Sequence, residues 1–125
     1  MRFTILIVED DPDSRTALAL LLELEGFKVI TASDGIIALE LAEKHQPDLI
    51  ITDICMPGMS GIELTRRIRT ISKFDSLPII AITAAAEQSQ RNVLDAGAYA
   101  CLVKPLDLAA LSNITDNLLV RANSI

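Results

Sequence analysis

The sequence predicts an α/β fold, a parallel sheet with helices on both faces, and three observations carry that prediction. Five short runs rich in Ile, Val and Leu alternate with five helical stretches along 125 residues. No hairpin signal separates any two runs, so neighbouring strands need helical crossovers and run parallel. The runs are apolar throughout rather than alternating, as strands buried on both faces are.

The elements follow in order. Residues 3–8 form the first strand, and Asp11-Pro12 opens a helix with Pro in its first turn, where the missing N–H has no intrahelical partner to lose. Gly26 closes that helix. Within it Ala17, Leu20, Leu21 and Leu24 recur at helical spacing, widened by Leu18 and Leu22, and this is the expected buried stripe. Residues 27–31 are the second strand, 34–44 the second helix, and 49–52 the third strand, which starts after Pro47. Ser60 and Glu63 have capping-box spacing for a third helix reaching about Ile71. Residues 77–83 are the fourth strand, introduced by Pro78. A polar helix over 87–96 ends at Gly97, and 99–103 are the fifth strand. Asp107 caps a last helix with Leu111, Ile114 and Leu118 on one face, and residues 121–125 read as its fraying end. The length suits one domain over 1–125, with its core at about 3–120 and no output domain after it.

Half of the residues are hydrophobic and Trp is absent, so the core is aliphatic. No apolar stretch approaches the roughly 18 residues of a membrane span, and the first residues run straight into a strand rather than a signal peptide. The expectation is a cytoplasmic protein without membrane insertion. A net charge of −6, from 11 basic and 17 acidic residues, argues against direct nucleic-acid binding. The surplus is local: with Glu9, Asp10, Asp11, Asp13 and Asp53 set aside, acids and bases nearly balance. One His and two Cys are too few for a structural zinc, so the chemistry falls to carboxylates.

Ligands of open parallel sheets sit at the carboxyl ends of the strands. The first strand ends in Glu9-Asp10, the third in Asp53, the fourth in Thr83 and the fifth in Lys104-Pro105. Three carboxylates on one rim repel unless a cation lies among them, and an all-oxygen donor set suits Mg²⁺. A hydroxyl and an ammonium nearby suit an oxyanion, most simply a phosphoryl group.

With these residues in view, the chain resembles the receiver domain of bacterial response regulators, from Ile5 to about Leu119. The resemblance is carried by the acidic pair in Leu6-Ile7-Val8-Glu9-Asp10-Asp11 and by Asp53-Ile54-Cys55-Met56-Pro57-Gly58-Met59-Ser60-Gly61. Thr83-Ala84, Gly97-Ala98 and Lys104-Pro105 complete it. It implies a flavodoxin-like sheet of order 2-1-3-4-5 and a cis Lys104-Pro105 bond. It further implies that Asp53 accepts a phosphoryl group from a phosphohistidine of a partner histidine kinase or histidine phosphotransfer protein. Asp10 and Asp53 would ligate Mg²⁺, with Glu9 holding it through water and the Cys55 backbone carbonyl completing the set. Thr83, the Ala84 amide and Lys104 would bind the phosphoryl oxygens. Output then passes to a downstream target protein whose identity the sequence does not give. Such a domain is a signalling module that catalyses only its own phosphorylation and dephosphorylation. Two other roles are carried beside it: a relay intermediate passing phosphate to a histidine phosphotransfer protein, and a phosphorylation-independent interaction module.

Two departures fall on the output side. The switch position three residues before Lys104, where the family has Tyr or Phe, holds Cys101, and the Thr83 to Lys104 interval is one residue short, implying a shortened fourth helix. Tyr99 is two residues, about 7 Å, further away along the strand and is expected at the surface. Asp11 and Asp13 read as first-turn acids favoured by the helix dipole. Arg66, Arg67, Arg69 and His45 read as solvated, Cys55 as inert in its side chain and Cys101 as core. The two cysteines belong to strands too far apart to bridge. A haloacid-dehalogenase phosphatase would need an acid at position 55, and a flavodoxin would need a hydroxyl- and Gly-rich loop where four acids stand.

Overall fold

The computed structural model describes residues 2–84 and 87–120. Strands β1 (Thr4–Val8), β2 (Lys28–Ala32), β3 (Leu49–Asp53), β4 (Ile79–Thr83) and β5 (Ala100–Val103) form one parallel sheet in the order β2-β1-β3-β4-β5. Helices α1 (Pro12–Leu24), α2 (Gly35–His45), α3 (Gly61–Arg69), α4 (Glu87–Asp95) and α5 (Leu108–Thr115) follow the strands in turn. The architecture and strand order are those expected.

Alternation along each strand sorts the aliphatic residues into two cores. Leu6, Val8, Ile50, Ile79 and Ala81 meet Ala38, Ala42, Leu64, Ile68 and Val93 of α2, α3 and α4. Ile5, Ile7, Leu49, Ile51, Ile80 and Ile82 meet Leu18 and Leu22 of α1 and Leu111 of α5 on the other face.

Helix α1 is turned from its expected face. Leu18 and Leu22 are buried, whereas Leu20 and Leu24 are 56% and 78% exposed and Ala17 also faces solvent. Residues 17–22 are apolar on every side, so spacing alone does not set the phase. The phase comes from the start of the helix, where the Asp11 carboxylate accepts the Ser14 N–H at 2.9 Å.

Element ends also shift, for local reasons. Helix α3 stops at Arg69, short of Ile71, and a 3₁₀ turn over Ser72–Phe74 buries Phe74 in its place. Strand β4 begins at Ile79 rather than Leu77, because Pro78 has no N–H for the ladder; its carbonyl accepts from Ile50 N–H. Gly97, at φ +118°, closes α4 as expected, and Asp107 caps α5 by accepting the Ala109 and Ala110 amides. Helix α5 then widens into a π-turn over Asp116–Val120. Leu111, Thr115 and Leu119, four residues apart, are the buried residues, with Ile114 and Leu118 only half-buried. The Thr115 hydroxyl has no hydrogen-bond partner among the described residues. The expected fraying end at 121–125 lies outside the described residues.

Candidate functional site

The carboxyl ends of β1, β3, β4 and β5 share one rim because their registers are in step: Val8 pairs with Thr52, Asp53 with Ile82, and Thr83 with Val103. Glu9 follows β1 directly, and its N–H is held by the Ala32 carbonyl at 3.1 Å. Arg15 reaches back from α1 to donate to the Glu9 carbonyl at 2.9 Å, bracing the turn that carries both acids. Asp53 is the last residue of β3, and the chain beyond it folds back so tightly that Gly61 N–H donates to the Ile54 carbonyl at 2.8 Å. A Cβ on Gly61 would stand 2.3 Å from the Asp53 carbonyl oxygen, so only glycine lets α3 start there. Ser60 caps α3 by accepting the Glu63 N–H at 3.2 Å, while the Glu63 carboxylate turns outward to Arg67 instead of closing the box.

Oxygens of Glu9, Asp10 and Asp53 lie within 4.8 Å of one another, with Glu9 and Asp53 buried and Asp10 exposed. Lys104 Nζ stands 3.3 Å from Asp53 Oδ2 and 3.8 Å from Glu9 Oε1. Burial pushes the Glu9 carboxyl up to about 7, against the Asp11 N–H that favours its anion, with the nearby Asp53 charge adding to the rise. For Lys104 burial disfavours the ammonium, but Asp53, its hydrogen bond, Glu9 and Asp10 outweigh it and raise the pKa. Three hard oxygen donors, two of them desolvated, fit a small divalent cation, and the adjacent ammonium fits an anion beside it.

The remaining residues of the expected site lie as follows. Thr83 is fully buried at the end of β4, its carbonyl accepting the Lys104 N–H at 2.8 Å, and Ala84 is exposed next to it. Cys55 is exposed in the turn after β3. Cys101 is half-buried against the α4-side core rather than within it, and burial raises its thiol pKa. Both cysteines are free. Tyr99 is 60% exposed, and the Lys104-Pro105 bond is cis. Asp11 is the cap of α1 and Asp13 lies in its first turn.

One arginine departs from the sequence reading and another had no place in it. Arg66 and Arg67 are solvated and pair with Glu63, but Arg69 turns inward to the Gly97 and Phe74 carbonyls. Arg15 carried no expectation at all, although a cation near a helix start opposes the helix dipole and so signals another attraction.

Residues 5–116 match the family model of the response regulator receiver domain. The sensor protein EvgS of Escherichia coli (strain K12) is 42% identical over 111 residues, which are 88% of this chain and 9% of that protein, so the chain spans about a tenth of this relative. The Vibrio cholerae chemotaxis protein CheY4 superposes with a TM-score of 0.89 at 31% identity, covering 95% of this chain and 100% of that one. The receiver domain of the sensor histidine kinase PA1611 from Pseudomonas aeruginosa, described with a magnesium ion coordinated in the active site cleft, superposes with a TM-score of 0.86. It is 37% identical and covers 94% of this chain and 98% of that one. No helix among the described residues is long and apolar enough to cross a membrane.

Proposed function

The chain belongs to the response regulator receiver family, whose members are signalling domains served by histidine kinases, and on that premise we propose that Asp53 is its phosphoacceptor. The observation carrying this reading is the buried Asp53 carboxylate, gathered with Glu9 and Asp10 on one side and Lys104 on the other. An Asp53 oxygen attacks the phosphorus of a partner's phosphohistidine; the new O–P bond forms as the P–N bond breaks, and imidazole leaves. Lys104, the Thr83 hydroxyl and the Ala84 amide hold the phosphoryl oxygens. Asp10, Asp53 and the Cys55 backbone carbonyl would hold Mg²⁺ directly, and Glu9 through water. A bound Mg²⁺ supplies charge neutralisation at the transferring group. The chain acts on no substrate beyond its own phosphorylation and dephosphorylation. It works in the cytoplasm, and the aspartyl phosphate alters which target protein it binds.

A second reading is favoured by Cys101, which offers no ring to rotate inward, and by the likeness to a receiver domain of a sensor kinase. In it the phosphoryl group moves on from Asp53 to a histidine phosphotransfer protein. Incubation with acetyl phosphate and Mg²⁺ should add one phosphoryl group by intact mass, and Asp53→Asn should abolish it. Undiminished labelling of that variant overturns the assignment. Loss of label within seconds to an added histidine phosphotransfer domain supports the relay, whereas retained label and a changed set of bound proteins support the effector.

A further inference from the structure

Arg69 is the last residue of α3, and its guanidinium joins three segments. Nε and Nη2 both donate to the Gly97 carbonyl, at 3.1 and 2.8 Å, and Nη1 donates to the Phe74 carbonyl at 2.8 Å. The side-chain stem lies against Gly97, where a Cβ would come within 2.9 Å of Arg69 Cγ and Nε. Gly97 therefore needs to be glycine twice, for its positive φ and for the arginine beside it. The same turn closes α4: Gly97 N–H donates to the Leu94 carbonyl at 3.0 Å, and Ala98 N–H donates to the Val93 carbonyl at 3.1 Å. A planar fork can hold two carbonyls at once in a way that a lysine ammonium on its flexible stem does not.

At its other end α3 is seated on the phosphoacceptor segment, through the Gly61 N–H to Ile54 bond and the close approach of Gly61 to the Asp53 carbonyl. One short rigid helix thus runs from the end of β3 to the turn after α4. Among the described residues the start of α4 makes no hydrogen bond or ion pair to α3: Glu87, Gln88 and Arg91 are exposed and bond within their own helix, Arg91 to Glu87 and Gln88 to Asn92.

We propose that Arg69 pins the C-terminal end of α4 to α3, so that α4 answers chemistry at Asp53 by pivoting about Gly97, with residues 87–91 moving and 96–99 held. The pin stands on the geometry alone, whereas the pivot rests on the phosphoacceptor reading, and two arms of one experiment separate them.

The first arm is hydrogen exchange in the metal-free protein, comparing the unaltered chain with Arg69→Met, Arg69→Lys and the exposed neighbour Arg67→Met. Loss of charge-assisted bonds should speed exchange at Ala96, Gly97 and Ala98 about ten-fold in Arg69→Met. Strands β1 and β3, and the Arg67→Met protein, should be unchanged. Should Arg69→Met fail to fold, Arg69→Lys carries the comparison, because it keeps the charge and stem and loses only the fork. The chain has one Tyr and no Trp, so the anisotropy of Tyr99 fluorescence reports on this turn independently and should fall in the same variants. The second arm adds Mg²⁺ and beryllofluoride, a phosphoryl mimic. In the unaltered chain the change should fall on residues 87–91, and in Arg69→Lys it should spread through 99. Unchanged exchange at 96–98 in the folded Arg69 variants overturns the pin. A change in the unaltered chain as large at 96–99 as at 87–91 overturns the pivot. No response to the mimic anywhere overturns the phosphoacceptor reading and the pivot with it, and leaves the pin to be judged on the first arm.

Discussion

Strands β3 and β5 end at the same rim but in different surroundings. β3 lies between β1 and β4 and is buried along its whole length, whereas β5 is the edge strand, half-buried from Ala100 to Leu102 and exposed at Val103. The residues they deliver differ accordingly. Asp53 is a short, desolvated carboxylate fixed by the backbone on both sides, while Lys104 reaches in on a long stem with 38% of its side chain exposed. If Asp53 is the phosphoacceptor, as proposed, the difference suits the two roles: a nucleophile needs a fixed position, and a counter-charge tolerates adjustment as the group opposite it grows. The β3 end is therefore built for placement and the β5 end for accommodation.

The largest effect that could break this comparison is at Gly61. Gly61→Ala forces a methyl against the Asp53 carbonyl and should lower stability by about 3 kcal/mol or more, read as a fall in urea midpoint. Gly58→Ala, in the same loop, meets no atom within 4 Å and has only its positive φ of 77° to strain, so about 1 kcal/mol is expected. Equal losses would show that the β3 end is not the rigid partner.

Glu9 sharpens the comparison through pH. Its folded-state pKa is raised from 4.5 to about 7, so between those values the folded state binds more protons than the unfolded one. Stability of the metal-free protein should accordingly fall as pH rises from 4.5 through 7, by up to about 3 kcal/mol. Glu9→Gln keeps an oxygen for the Asp11 N–H and should flatten that slope in denaturant melts at each pH. A slope unchanged by the substitution would place the desolvated charge elsewhere.

The smallest effect is the response to the cation. Mg²⁺ at ten times its dissociation constant should stabilise the fold by about 1.4 kcal/mol, with most of the gain lost in Asp10→Asn. Melting in matched ionic strength checks this, since screening alone also eases repulsion among acids. An equal gain in both proteins would mean that the rim does not hold the ion.

The rim was legible in the sequence because strand ends must be polar somewhere, and here Glu9, Asp10, Asp53, Thr83 and Lys104 are the residues that interrupt aliphatic runs. The parallel α/β fold followed from the same runs, whereas the strand order came only with the resemblance that these residues carry. What stayed hidden is geometry that residue spacing alone does not fix. The phase of α1 is ambiguous over residues 17–22 because every side is apolar. Arg69 looked solvated beside Arg66 and Arg67, since its acceptor at Gly97 is 28 positions away. Positions 114, 115, 118 and 119 all fit the helical stripe from Leu111, and spacing alone does not say that Thr115 and Leu119 take its centre, with a π-turn following at Asp116–Val120.

Lys104 has a consequence for how the domain comes to exist at all. A cation on a side chain is present at one copy per chain from the moment the sheet closes, whereas a free ion must be recruited from solution. Gathering the acids at one rim therefore need not wait for metal, because Lys104 already stands between Asp53 and Glu9 as a tethered counterion. With all three acids ionised it leaves two negative charges unmet, the valence of a single divalent ion. A monovalent ion at the same place would leave one charge over, so whenever Glu9 is ionised the lysine sets a charge balance that favours a divalent ion.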